Sequence, residues 1–504
     1  MAVSFINIPA NIRVPLFYAE VDNSMANTAT ADKKSLIIGQ AVGGTAESGK
    51  PYLISTATQA KTKFGRGSPL ALMVEAYRAN DTADTLWVLP MDVTKGLKAK
   101  GTVAFKGVPT ESGTIAFYVG PTKVAVTVAK GDGLTAIRDA FIAAINADKD
   151  LPVTAEADAL VEDSTDVTLT LECKGAGVYG NDIPLALNRQ GAIGGEEKLA
   201  GLEVTITPMA EGAGDIDYEE AFAKVGSETY YYYIGIQSND STALDACKNE
   251  MQDSTGRWSY ARMQYGHIFT AKRGDAETLV TFGNTRNDQH ATVFGLEPNN
   301  PNPYWLATGA ILGRAAAYFT NDPARPLQTG VLYGLMAPAI EDKFGFNERN
   351  TLLHNGIATL YEQSGNVMIE RCITTYQVNS FGDADNSYLD TTTLFTLAEI
   401  ITTLKTAITS KYARHKLADD GTKFGPGQAI VTPSVIRSEL VAQYAKLETK
   451  GIVENAKLFN KYLIVERNAD DPCRIDVLLP PDLVNQLRIF ALQAQFRLQY
   501  SATD

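Results

Sequence analysis

SLIIG (Ser35 to Gly39), SPLALMVEAY (Ser68 to Tyr77) and LWVLP (Leu86 to Pro90) follow one another within the first hundred residues. SLIIG is a short apolar run that ends in glycine, the pattern of a buried strand. Ser68 followed by Pro69 marks a helix start. The serine hydroxyl caps free amides, and proline suits the first turn. Leu70, Met73, Val74 and Tyr77 then recur at helical spacing. LWVLP is a second strand. Strand, helix, strand in this order predicts a parallel sheet with a right-handed crossover.

Upstream, residues 1–27 have no helical period. Pro9 and Pro15 cannot donate to a ladder, so the stretch around RVPLFYAEVD reads as an edge strand or an extended arm. Downstream, the pattern changes near Lys95. From Gly101 to about Pro208, runs such as GTVAFKG, GTIAFYVG, KVAVTVA and VTLTLEC alternate apolar and polar residues between glycines and prolines. That is the pattern of half-buried antiparallel strands. One helix, about Leu134 to Asn146, carries Ile137, Phe141 and Ile145 on one face. We read this region as a β-rich domain inserted into the α/β domain.

The α/β rhythm returns at YYYYIGIQ (Tyr230 to Gln237), HIFTA (His267 to Ala271) and TVFGL (Thr292 to Leu296), with a helix over Pro303 to Thr320. A hairpin follows, with its turn near Ser364 and Gly365. The last third predicts a long helix over Tyr388 to Lys416, a second helix from Pro433, and strands in KYLIVER and CRIDVLLP. The final segment alternates again, with Phe490, Leu492, Phe496, Leu498 and Tyr500 on one side and Gln493, Gln495, Arg497 and Gln499 on the other. Such a strand needs a sheet to join.

The resulting fold class is α/β and multidomain. Residues 1–27 form an N-terminal arm, 28–95 with 212–375 the α/β core, and 96–211 the β-rich insert. Residues 376–486 form an α+β C-terminal domain, and 487–504 a C-terminal arm. The chain of 504 residues is 45% hydrophobic and 20% charged, normal for a globular protein. Its net charge of −13 argues against nucleic acid as a partner. No run is apolar enough to span a membrane, and the N-terminus lacks a secretion signal.

The search for chemistry points to no catalytic, cofactor or metal site. Gly175-Ala-Gly177-Val-Tyr-Gly180 matches a dinucleotide fingerprint, but such a string must open a helix, and NDIPLALN follows instead. A tight turn is the preferred reading. His267, His290, His354 and His415 form no nucleophile–base pattern, and no GxSxG elbow or phosphate-binding lysine loop is present. The Asp383 to Ser387 run lacks the glycine and glutamate of a calcium loop. Cys173, Cys247, Cys372 and Cys473 are far apart and read as reduced thiols. The strand-like ends are the other notable feature. They either fold back on their own chain or add to a neighbour's sheet. Pattern alone favours the first.

FINIPANIRVPLFYAEVDNSMA (Phe5 to Ala26), GVYGNDI (Gly177 to Ile183), SYLDTTTLFTL (Ser387 to Leu397) and RIDVLLPPDLVNQLRIFALQAQFRLQY (Arg474 to Tyr500) resemble the tail sheath proteins of Mu-like contractile-tailed phages. The resemblance runs over nearly the whole chain. It implies a structural, non-enzymatic subunit that forms hexameric rings stacked around a tail tube. Contraction on a baseplate signal would then drive the tube through the bacterial envelope. It implies a virion protein assembled in the host cytoplasm, with tail tube, baseplate and tail terminator proteins as partners and no cofactor. Its arms would be subunit contacts, through Ile12, Val14, Leu16, Phe17 and Tyr18 at one end and Phe490, Leu492, Phe496, Leu498 and Tyr500 at the other. The core would be subtilisin-like in shape only. The insert would lie outermost, and the helix over Pro433 to Lys450 would face the tube, offering Arg437, Lys446 and Lys450. A phage-tail-like bacteriocin or a defective prophage would use the same subunit. An enzyme with a Rossmann-type or subtilisin-like domain is the alternative of another class.

Overall fold

The computed structural model describes residues 33–93, 95–160, 166–226 and 231–498. The N-terminal arm residues Ile12, Val14, Leu16, Phe17 and Tyr18, and Tyr500 at the other end, lie outside them. Strand β1 (Ser35–Gln40) leads to β2 (Tyr52–Leu53), helices α1 (Ala57–Phe64) and α2 (Pro69–Asn80), and strand β3 (Leu86–Met91). β1 and β3 pair in parallel from Ser35 opposite Leu86 to Gln40 opposite Met91. The Ser68 hydroxyl accepts the Ala71 N–H at 3.1 Å, so the cap read from sequence is made. Leu70, Met73, Val74 and Tyr77 are buried together on one face of α2.

The insert follows as β4 (Lys98–Gly107), β5 (Gly113–Val119), β6 (Thr122–Val128), α3 (Leu134–Ala147), β7 (Val153–Ala157), β8 (Asp166–Ala176), β9 (Leu185–Leu187) and β10 (Leu202–Ala210). These strands make a four-stranded sheet, β10-β4-β8-β7, and a three-stranded sheet, β6-β5-β9. All their pairings are antiparallel. Phe141 of α3 joins the two sheets. Its ring lies 4.8 Å from Phe105 on one and 5.9 Å from Phe117 on the other. Ile137, Phe141 and Ile145 are the buried stripe, as their spacing predicts.

The chain then returns to the parallel sheet through α4 (Tyr218–Val225), β11 (Tyr233–Ile236), α5 (Ser241–Met251), β12 (His267–Arg273), α6 (Ala276–Asn284), β13 (Ala291–Leu296) and α7 (Tyr304–Asn321). The six-stranded order is β13-β12-β11-β1-β3-β2. Only β2 runs antiparallel to its neighbour. The winding therefore reverses between β1 and β11. α7 lies against α2 at glycine contacts. A Cβ on Gly309 would come within 2.4 Å of the Met73 carbonyl oxygen, and one on Gly313 within 2.4 Å of that of Tyr77.

Arg273, the last residue of β12, fastens the insert to this sheet. Its guanidinium grips the Asp182 carboxylate at 2.6 and 3.3 Å and donates to the carbonyls of Glu297, Pro298, Asn300 and Asn302. After α8 (Phe346–His354), β14 (Thr359–Gln363) and β15 (Asn366–Arg371) form the expected hairpin. Ser364 and Gly365 take positive φ at its turn, +54° and +80°.

Helix α9 (Thr391–Tyr412) is shorter at both ends than its sequence pattern predicts. Asp390 is held by ion pairs just before it, and Lys416 is drawn into a short parallel bridge of strands. That bridge joins β16 (Lys416–Leu417) and β17 (Ile430–Val431), and α10 (Pro433–Thr449), α11 (Ala456–Tyr462), β18 (Ile464–Arg467) and β19 (Ile475–Leu478) complete the regular elements of the described residues. Contacts divide the described residues into two units, 33–395 with 485–498, and 396–484. The division falls inside α9. In the second unit, α10 buries Ile436, Leu440, Tyr444 and Leu447. Tyr444 stacks on Phe459 of α11 at 3.7 Å, and its hydroxyl donates to the Glu454 carbonyl at 2.8 Å. The molecule is thus a mixed α/β multidomain protein.

Candidate subunit-contact site

Open parallel sheets bind ligands at the C-terminal ends of their strands, where the winding reverses. In this chain that crevice is filled by protein. The Gln237 side-chain oxygen accepts the Gln40 N–H at 2.7 Å. The Ser238 N–H donates to the Tyr218 hydroxyl at 3.0 Å, and the Ser238 hydroxyl donates to Asp215. The Gly175 to Gly180 string meets the same place from the insert. A Cβ on Gly175 would lie 2.3 Å from the Tyr179 hydroxyl and 2.5 Å from the Gln40 side-chain oxygen. Gly175 therefore makes room for this chain's own side chains. The string continues into a single 3-10 turn, Val178–Asp182, and then β9, not into a helix.

His267 and His290 and the Cys173, Cys247 and Cys372 thiols are buried in packing, whereas His354, His415 and Cys473 are exposed. His267 is buried, lies 2.8 Å from the Thr292 hydroxyl, and is held neutral by burial, which pushes its pKa well below the usual range. His290 pairs with Asp253 at 3.0 Å and stacks on Trp258. Burial pushes the Cys372 thiol up to about 12, so it holds its proton and is no nucleophile. Among the described residues, no three His, Cys, Asp or Glu side chains are grouped to hold a metal. No helix among them is long and apolar enough to cross a membrane.

The C-terminal segment has a different character. Its root is tied to the first unit. The Gln486 amide donates to the Ala324 carbonyl at 3.1 Å, and the Gln328 amide to the Leu487 carbonyl at 3.3 Å. Arg488 bridges to Asp390 at 3.1 Å, and its side chain is 13% exposed. Beyond Arg488 the apolar side chains are exposed. Phe490 is 79% exposed, Leu492 78%, Phe496 85% and Leu498 96%. The alternation predicts a strand, yet residues 489–498 pair with no strand among the described residues. Sequence reasoning missed the Arg488 anchor. Its signal was available, because Arg488 occupies the same alternating face as Phe490 and Leu492, where a charge requires a partner.

In the second unit, β18 and β19 form a two-stranded antiparallel sheet, with Ile464 opposite Leu478 and Arg467 opposite Ile475. No third strand among the described residues joins either edge. An isolated two-stranded sheet is marginal in water. Beside it, Ile401, Leu404 and Ile408 of α9, Ile436 of α10, and Ile475 and Val477 of β19 line an apolar groove of about 470 Å³. These groove residues are invisible to sequence reading, because they come from three separate elements.

Arg437, Lys446 and Lys450 are not brought together. At about 100° per residue, Arg437 and Lys446 fall on opposite sides of α10. Arg437 is half-buried and donates to the carbonyls of Leu463, at 2.5 Å, and Asn460, at the end of α11. Lys446 and Lys450 are exposed.

Over 503 residues, 99% of this chain and 100% of the relative, the sequence is 39% identical to the Mu-like prophage FluMu tail sheath protein of Haemophilus influenzae. The chain belongs to the tail sheath proteins of Mu-like phages. Residues 211–375 match the phage tail sheath protein central domain, and residues 383–497 the phage tail sheath C-terminal domain. Residues 18–268 match the family model described as DUF2586, N-terminal domain. The fold is similar to that of the sheath tail protein from Desulfitobacterium hafniense, with a TM-score of 0.50 at 11% identity, covering 94% of this chain and 97% of that one. This sheath protein is thus a structural component of a contractile phage tail, not an enzyme. The C-terminal domain match includes Phe490, Leu492 and Phe496, so the exposed segment is part of the sheath domain itself.

Proposed function

We propose that the protein polymerises into hexameric rings stacked around a tail tube, and that its C-terminal arm adds a strand to a neighbouring subunit. The supporting observation is the contrast at Arg488. The chain before it is held by its own subunit, whereas Phe490, Leu492, Phe496 and Leu498 lie exposed after it. Fully burying each of these side chains is worth roughly 1.5–3 kcal/mol. A hairpin joined by no third strand among the described residues and beside an apolar groove, as β18 and β19 are, is a fitting acceptor, since strand addition needs free backbone groups and alternate side-chain pockets. The N-terminal arm, residues 1–27, would act in the same way.

Contraction would then release the free energy difference between two arrays of the same subunits, with no nucleotide consumed. The arms would keep neighbours joined while the bodies rotate. The domain boundaries at 95/96, 211/212 and 375/376 follow the same reading. The insert lies outermost, and α10 faces the tube with Lys446 and Lys450. Arg437 serves the fold of its own unit instead. Tail tube, baseplate and terminator proteins are the partners, and the tail assembles in the host cytoplasm before piercing an envelope. Electron microscopy of the purified protein tests the reading. Tubes or rings are expected, and a protein that stays a monomer at high concentration would refute it.

A further inference from the structure

A cleft of about 960 Å³ opens between β9 of the insert, the end of β12 and the loops that follow β13 and α7, with Pro184, Arg189, Arg273, Asn299, Met336 and Asp342 on its walls. Most of its charges are already satisfied. Arg273 is saturated by Asp182 and by four carbonyls. Asp342 accepts a hydrogen bond from the Asn299 amide at 2.8 Å. Nearby, Glu196 is neutralised by Lys123 at 2.8 Å and receives the Tyr118 hydroxyl at 2.6 Å. Arg189 is different. It makes no ion pair or hydrogen bond among the described residues, and its Nε is buried without a partner.

The backbone holds Arg189 in this position. Asn188 before it is left-handed, with φ +49°, and its N–H donates to the Ala116 carbonyl at 2.8 Å. The Gln190 N–H after it donates to Glu196 at 2.9 Å. Burial, and then the charge of Arg273, push the Arg189 pKa down, and the Asp342 carboxylate offsets this only in part. Arginine keeps its proton in proteins, and a partly buried guanidinium whose Nε has no acceptor is costly.

We propose that this cleft is a carboxylate-binding site in which Arg189 is the ligand's counter-charge. The planar guanidinium fork matches a carboxylate in bidentate geometry. Asp342 on the same walls disfavours a doubly charged phosphate. A carboxylate could be supplied by a free small acid or by an Asp or Glu of a second copy. The chain carries 58 acidic residues against 45 Lys and Arg, so other copies offer many.

The test uses the full-length protein and sodium glutarate as probe, with sodium chloride at matched ionic strength as control. Glutarate should raise the melting temperature of the wild type, and Arg189→Gln should weaken its apparent affinity at least tenfold. Arg189→Gln should melt at or above the wild-type temperature in chloride, because it breaks no bond and removes a costly buried charge. Arg189→Lys should bind with intermediate strength, and Asp342→Asn should bind more tightly by removing a competing charge. If a second copy supplies the carboxylate, Arg189→Gln should also lower polymer yield in sedimentation, and glutarate should inhibit wild-type assembly. If a free acid is the ligand, assembly should be unaffected by both. Equal glutarate responses and equal polymer yields for wild type and Arg189→Gln would overturn the site.

Discussion

Arg488 and Asp390 lie 3.1 Å apart, and Arg371 reaches the same carboxylate at 3.0 Å. Asp390 immediately precedes α9, so the root of the C-terminal arm is bolted to the start of that helix. The Arg488 hydroxyl partner, Thr392 at 3.4 Å, lies in the first turn of the same helix. The subunit's hold on its own C-terminus ends at this cluster.

Deleting residues 489–504 should therefore abolish polymerisation and leave the melting temperature of the isolated subunit nearly unchanged. Replacing Arg488 by Ala should do the reverse. Asp390 keeps Arg371, so the loss should be modest, about 1–2 kcal/mol for charged hydrogen bonds. Urea unfolding and sedimentation of the two variants separate the effects. A large drop in stability on deleting 489–504 would mean that the arm belongs to its own subunit.

Val477→Glu should act on the acceptor side. Val477 is 43% exposed and lines the groove beside the hairpin, so the charge meets solvent in the lone subunit. Stability should change by less than about 0.5 kcal/mol, as for ordinary surface substitutions. Assembly should fail, because the charge would be buried under an added strand. Sedimentation of the variant, alone and mixed with arm-deleted protein, is the check.

Gly309→Ala should destabilise the subunit. Alanine favours a helix over glycine by about 1 kcal/mol. Its methyl group would, however, sit 2.4 Å from the Met73 carbonyl oxygen, and backbone cannot yield as a flexible side chain can. Overpacking of this kind costs about 1–3 kcal/mol, so the steric effect wins. A rise in the urea midpoint would show that α2 and α7 can separate freely.

Stability should also depend on Asp215. Burial, helped by the Asp240 carboxylate and opposed by the Ser238 hydroxyl, raises its pKa from the usual 3.8 to about 6. The folded state holds this proton more tightly than the unfolded chain does. The stabilising contribution is therefore fully present below about 3.8 and lost as pH rises through about 6, an effect on the order of 3 kcal/mol. Asp215→Asn should flatten the stability curve across that window and exceed the wild type above it. Urea midpoints measured from pH 4 to 7.5 would reveal an unchanged slope if the group were not responsible.

Local sequence pattern was enough to place the individual elements. Alternation and helical spacing report which face of a segment is apolar, and that is a property of neighbours a few residues apart. β1, α2 and β3, the α3 stripe of Ile137, Phe141 and Ile145, and the hairpin turn at Ser364 and Gly365 were all legible for this reason. The long terminal strings also carried the family. What those faces meet depends on contacts between segments far apart in the chain. The period of two at Phe490, Leu492 and Phe496 demands a partner sheet, but it cannot say whose. Only the burial of Arg488 against Asp390 marks where the subunit's own contacts stop. The groove beside β19 and the empty-handed Arg189 were equally hidden, because each is built from segments far apart in the chain. Arg437 reads in sequence as a tube-facing contact but donates to carbonyls at the end of α11, since a charged residue on a helix looks the same in sequence whether it faces water, a partner or its own backbone.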